Sequence, residues 1–161
     1  MSKIPVFVSC PTQLNEEQEK INKVIDEILE ELGLERRAVG RTDYPVENPL
    51  KEVCALAKHC AGGIILGFEQ AFISEGTKKR NMKEESKITD RPLPSDWNNL
   101  EAGILYALDL PLLVMKEEKI VGGIFDYGAS KYFVNSMSAD YAALKPILLK
   151  WSNQVYRKYY D

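Results

Sequence analysis

Pro94-Ser95-Asp96-Trp97-Asn98-Asn99-Leu100-Glu101-Ala102-Gly103-Ile104-Leu105-Tyr106-Ala107-Leu108-Asp109-Leu110-Pro111-Leu112-Leu113-Val114-Met115 reads as a helix that turns into a strand, and this stretch decides the fold. From Asp96 to Asp109 the large apolar side chains fall at Trp97, Leu100, Ile104, Leu105 and Leu108, the spacing of one buried helical face. The run 111–115 that follows is short and apolar throughout, as a strand covered on both faces requires. One carboxylate is set into the apolar stripe. Glu101 lies four residues from Trp97 and Leu105 and three from Ile104, so the helix aims it inward, where an ionised oxygen is costly unless paired. Two readings stand side by side. Glu101 is either an early-turn carboxylate stabilised by free backbone N–H groups and the helix dipole, or a carboxylate at the rim of a pocket that acts on a ligand.

Working outward, strand and helix alternate along the chain. Residues 3–10 form a strand (Ile4, Val6, Phe7, Val8) that stops at Pro11, and 16–32 a helix with Ile21, Val24, Ile25, Ile28, Leu29 and Leu32 on one side, ended by Gly33. A weaker strand covers 34–41. After Asp43 and Pro45 a helix covers 49–60 through Leu50, Val53, Cys54 and Ala57, and Gly62-Gly63 launch a third strand at 64–67. A long polar stretch, 68–94, separates that strand from the Glu101 helix and the fourth strand. A fifth strand is expected at 132–134, then a final helix capped by Ser138 and carrying Tyr141, Leu144, Leu148, Trp151 and Val155, which Pro146 should bend or begin. Repeated βα units imply a parallel sheet with helices on both faces.

The chain has 161 residues, suited to a single domain, 1–161, with a substantial core. Its net charge of −3, with both signs dispersed, points away from nucleic acid or a membrane surface and toward small molecules or other proteins. There is no signal-peptide pattern and no apolar run near the roughly 20 residues of a membrane helix, so a cytoplasmic protein is expected. Cys10, Cys54 and Cys60 lack paired CxxC spacing, which fits reduced thiols rather than disulfides or a zinc site.

In open α/β sheets ligands bind beyond the carboxyl ends of the strands. That rule selects Ser9-Cys10-Pro11-Thr12 after the first strand, Arg41-Thr42-Asp43-Tyr44 after the second and Gly67-Phe68-Glu69-Gln70 after the third, with Trp97, Asn98, Asn99 and Glu101 on the helix that follows. Of these, Ser9, Cys10, Thr12, Asp43, Phe68, Trp97, Asn98, Asn99 and Glu101 are the candidate site residues. The 68–94 stretch far exceeds a usual βα connection and reads as a lid-like loop. Lys78, Lys79, Arg80, Lys83, Lys87 and Arg91 outnumber its acids, so it is either solvated surface or a lid attracted to phosphates. The sequence has no GxxxxGK[ST] loop, no GxGxxG after a strand and no HExxH. The one histidine, His59, falls late in the second helix, away from the ligand face, so a Ser-His-Asp triad is discounted and metal ligands are too few.

Glu101-Ala102-Gly103 followed by Asp109-Leu110-Pro111 resembles the pattern of the nucleoside 2-deoxyribosyltransferase and TIR-like superfamily, in which a glutamate, a small residue and a glycine begin an apolar helix that leads through a turn into a strand. By element order the resemblance runs from Val6-Phe7-Val8-Ser9 through Gly63-Ile64-Ile65-Leu66-Gly67 to the fourth strand. It implies a flavodoxin-like α/β domain of about five parallel strands that cleaves an N-glycosidic bond, with Glu101 as the catalytic carboxylate. Trp97-Asn98-Asn99 replaces the transferases' tight turn, and Asp43 is the candidate for their early acidic sugar ligand. These departures favour NAD as substrate, cut at the nicotinamide–ribose bond, with no separate cofactor and with a signalling nucleotide in bacterial antiphage defence as one destination. In that reading Phe68 or Trp97 stacks on a base, Asn98 and Asn99 hold ribose hydroxyls, Ser9, Cys10 and Thr12 line the floor, and the chain is a homo-oligomer. Base exchange between deoxynucleosides and a non-catalytic nucleotide-binding or TIR-type assembly module are the alternatives.

Overall fold

Alternation of apolar side chains along the central strands builds two cores, one on each face of a single sheet. The computed structural model describes residues 2–40, 48–128 and 134–161. The strands are β1 (Ile4–Ser9), β2 (Leu34–Arg37), β3 (Gly63–Gly67), β4 (Ala71–Lys78), β5 (Ser86–Leu93), β6 (Leu112–Lys116) and β7 (Val134–Ser136). The helices are α1 (Glu16–Glu31), α2 (Pro49–Ala57), α3 (Asp96–Ala107) and α4 (Tyr141–Tyr160). Five strands form a parallel sheet in the order β2-β1-β3-β6-β7. The order reverses between β1 and β3, so the domain is flavodoxin-like.

Ile4, Val6 and Val8 of β1, Ile64 and Leu66 of β3, and Leu113 and Met115 of β6 pack with α1 (Ile25, Ile28, Leu29) and α4 (Leu144, Leu148, Trp151, Val155). The intervening Phe7, Ile65, Leu112 and Val114 pack with Val53 and Leu56 of α2 and Ala102 and Leu105 of α3. Successive strand side chains point to opposite faces, so helices must cover both. That division puts α3, and Glu101 with it, against the β1 and β3 half of the sheet.

Several element boundaries differ from the sequence reading. The edge strand β2 pairs only with β1 and ends at Arg37. α2 stops at Ala57, and the fifth strand is Val134–Ser136, the expected positions 132 and 133 lying outside the described residues. α4 begins at Tyr141 with Asp140 as its cap, Oδ1 accepting the Ala142 N–H at 3.0 Å, while Ser138 Oγ accepts the Asp140 N–H. Pro146 is therefore inside the helix rather than at its start.

The largest correction concerns 68–94. Instead of an irregular lid-like loop it is an antiparallel hairpin, β4 with β5, forming its own two-stranded sheet with almost every residue exposed or half-exposed on both faces. Its root is gripped by polar contacts: Gln18 Nε2 donates to Glu69 O and to Glu117 Oε1, and Glu117 Oε1 also accepts the Glu69 N–H at 3.1 Å. Gln18 is itself fixed by a reciprocal cap with Asn15 at the start of α1.

Candidate functional site

At the β1/β3 reversal the carboxyl ends of the strands open into a cleft of about 320 Å³. Ser9, Cys10, Pro11 and Thr12 enter it from the end of β1, Val39 and Gly40 from beyond β2, Pro49 and Val53 from the first turns of α2, and Gln70 from the hairpin root. Ser95, Trp97, Asn98 and Glu101 come from the start of α3. Gly40 has a positive φ of 83°, and a Cβ there would come within 2.7 Å of Thr12 Cγ2, so only glycine lets these two loops close the wall.

Ser95 starts α3 at the rim, its hydroxyl accepting the Trp97 N–H at 3.3 Å. From there the helix buries Asn98, Glu101, Ala102 and Leu105. This face is rotated from the expected stripe. Trp97 and Leu100 are 42% and 44% exposed, because the inward side of the first turns is given to polar groups that meet Ser9. Asn98, 1% exposed, donates from Nδ2 to Ser9 Oγ at 2.9 Å and, at 3.4 Å, to Ser9 O. Its Oδ1 is buried without a partner among the described residues, a defect of about 1–3 kcal/mol.

Glu101 is 8% exposed. Burial pushes its carboxyl up to about 7, and a hydrogen bond from the Ser9 hydroxyl pulls in the opposite direction without overcoming that desolvation. Near neutrality the two protonation states are therefore comparably populated. Among the described residues the cleft contains no second carboxylate and no Lys or Arg, so none of them forms an ion pair or shares a proton with Glu101. A desolvated carboxylate facing a cavity, hydrogen-bonded by one hydroxyl, can stabilise positive charge developing on a ligand or donate a proton to it.

Of the expected site residues, Ser9, Cys10, Thr12, Trp97, Asn98 and Glu101 are brought together here. Asp43 lies outside the described residues. Phe68 does not belong to the site: it is fully buried in the core under α1 and α4 and has no face to offer a ligand. Asn99 is also misplaced, since it points to the short 3-10 turn Gly123–Phe125, its Oδ1 accepting the Ile124 N–H at 2.8 Å. A Cβ at Gly123 would lie 2.0 Å from that oxygen, so this contact depends on glycine.

The hairpin cations do not line the cleft either. Gln70 reaches it, but no residue from 71 to 93 does. An eight-residue strand spans about 25 Å, which sets Lys78, Lys79 and Arg80 that far from the root. Val39, Gly40, Pro49, Val53 and Ser95 were not anticipated, whereas Gln70 falls in the stretch expected after the third strand. Ser95 alone carried a local signal, as a capping residue directly before Asp96. His59 is exposed at the opposite end of the sheet, beside a second concavity of about 360 Å³ with Lys58, Cys60, Leu108 and Lys158. Cys60 is buried with its Sγ donating to Leu56 O, and Cys54 is half-buried; neither forms a disulfide among the described residues. Among the described residues no cluster of His, Cys, Asp or Glu is placed to hold a metal ion, and no helix is long and apolar enough to cross a membrane. No protein-family model matches this chain, and no curated protein matches it.

Proposed function

We propose that this chain breaks the N-glycosidic bond of a nucleotide, with NAD cut at the nicotinamide–ribose bond as the leading substrate. The observation that carries this reading is Glu101: a carboxylate buried at the strand-order reversal, open to a cleft, with a hydroxyl as partner and no neutralising cation among the described residues. Sugar transfer passes through an oxocarbenium-like carbon, which one carboxylate can stabilise or capture. When the C1′–N bond breaks, its electron pair passes to the pyridinium nitrogen of nicotinamide, which leaves neutral and needs no proton. Water then adds at C1′ and gives up a proton to Glu101. One carboxylate suffices when the departing base is already cationic, as the nicotinamide of NAD is. The half-exposed Trp97 at the rim offers a face for a base.

A second reading has its own support. A carboxyl pushed up to about 7 is partly protonated at neutral pH and can assist a neutral base. Deoxynucleoside base exchange is that reading. Product analysis by mass separates the two: nicotinamide released from NAD alone supports the first, whereas deoxyadenosine formed from deoxyinosine and adenine with NAD intact replaces it. Ligand-dependent self-association without any product would instead mark an assembly module. A cytoplasmic homo-oligomer with reduced thiols, acting in antiphage defence, completes the proposed setting.

A further inference from the structure

We propose that the hairpin of β4 and β5 is a dimerisation arm: β4 pairs edge to edge and antiparallel with β4 of a second copy, and each basic tip rests on the acidic root of the other arm. A two-stranded hairpin with both faces in solvent is marginal by itself and gains stability from further strands. Among the described residues β4 and β5 pair only with each other, and Phe72 and Met82 are 54% and 61% exposed. The two outer edges differ. β5 carries Lys87, Asp90 and Arg91, contains Pro92, which has no N–H to donate, and leaves extended geometry at Asp90, whose φ is +49°. Features of that kind keep an edge from pairing. β4 has no proline and no positive φ from Ala71 to Lys78, and its only charges are Glu75 and Lys78. Its edge is therefore the one open to another strand.

Charge decides which strand that is. At the tip, Lys78, Lys79, Arg80, Lys83 and Lys87 outnumber Glu84 and Glu85. The root has the opposite sign. Gln18 and Glu117 hold Glu69 there, which gathers Glu16, Glu17 and Glu19 of the first turn of α1 and Glu118 beside Glu117, against Lys20 and Lys119. Tip and root lie about 25 Å apart, several times the screening length of about 8 Å, so an arm cannot neutralise itself. Two arms side by side and antiparallel neutralise each other at both ends. A two-fold axis generates that arrangement from one self-complementary edge and turns two marginal hairpins into a four-stranded sheet. A nucleic-acid backbone would meet the cations of the tip but also Glu84, Glu85 and the acidic root, so the charges favour a second copy. No residue from 71 to 93 lines the cleft, so association needs no turnover and is read by a separate assay.

The experiment is analytical ultracentrifugation of the intact chain with charge reversals at the exposed positions Arg80, Lys83, Glu16 and Glu118, each variant first shown by circular dichroism to be folded. The wild type should be a dimer at micromolar concentration, with a dissociation constant that rises at least about tenfold from low to high salt. Arg80→Glu with Lys83→Glu sets an acidic tip on an acidic root, and Glu16→Lys with Glu118→Lys sets a basic tip on a basic root. Each of these variants alone should associate at least about tenfold more weakly. Mixed in equal amounts, the two should form a heterodimer, because both tip-to-root contacts are then between opposite charges. A wild type that stays monomeric at low salt, a dimer indifferent to both reversals, or a mixture without heterodimer would each overturn the proposal. So would a monomeric wild type that binds a duplex DNA probe through the tip cations.

Discussion

Replacing Glu101 with glutamine should stabilise the fold, and by an amount that depends on pH. Burial raises the folded-state carboxyl from an ordinary 4.5 to about 7, so the folded chain holds a proton that the unfolded chain has released. Stability from this group is then complete below the unfolded value and is lost as pH rises through the folded value. Two and a half pH units correspond to about 3 kcal/mol in full, of which about 2–3 kcal/mol falls between roughly pH 5 and pH 8. Glutamine keeps the size and an oxygen for the Ser9 hydroxyl but never ionises. Urea unfolding of both proteins at each pH should show near-equal stability at about pH 5 and an advantage for Glu101→Gln of about 2–3 kcal/mol at about pH 8. An advantage that is the same at both pH values, or a disadvantage at the higher one, would refute the claim that Glu101 is held against its desolvation cost.

Alanine in place of Lys78, Lys79 and Arg80 together should leave the Michaelis constant of any substrate of the cleft within about twofold of wild type, because these cations stand well away from it; a several-fold, salt-sensitive rise would mean that the hairpin folds over the mouth. Gly123→Ala should lower stability by about 1–3 kcal/mol, since φ there is +58° and the new methyl would meet Asn99 Oδ1, and unfolding midpoints check this directly.

The parts of the fold legible in sequence are those where an apolar pattern had a single use. The stripe of Ile25, Ile28 and Leu29 marked α1, and the short runs around Val6, Ile64 and Val114 marked strands buried on both faces. Gly33 marked the end of the first helix. The hairpin escaped because its strands bury neither face, so nothing forces Phe72, Ile73, Thr77, Ile88 and Thr89 into a clean alternation. The site was half legible. Glu101 reads as inward-facing from its place in the helix, but the apolar spacing points Trp97 and Leu100 inward, whereas Asn98 takes the buried side of the first turn. A polar residue that meets Ser9 breaks the amphipathic pattern. Phe68 failed for the converse reason: a side chain directly after a strand looks available to a ligand, yet here it turns back into the core.

The most direct test of the central claim is to incubate NAD alone with the wild-type chain and with Glu101→Gln, after confirming that both are folded, and to follow nicotinamide by mass. The account predicts release by the wild type without any added base, and release by the variant lower by about two to three orders of magnitude, as loss of an electrostatic stabiliser entails. Equal release by the two proteins, or intact NAD beside base exchange between deoxynucleosides, would contradict it.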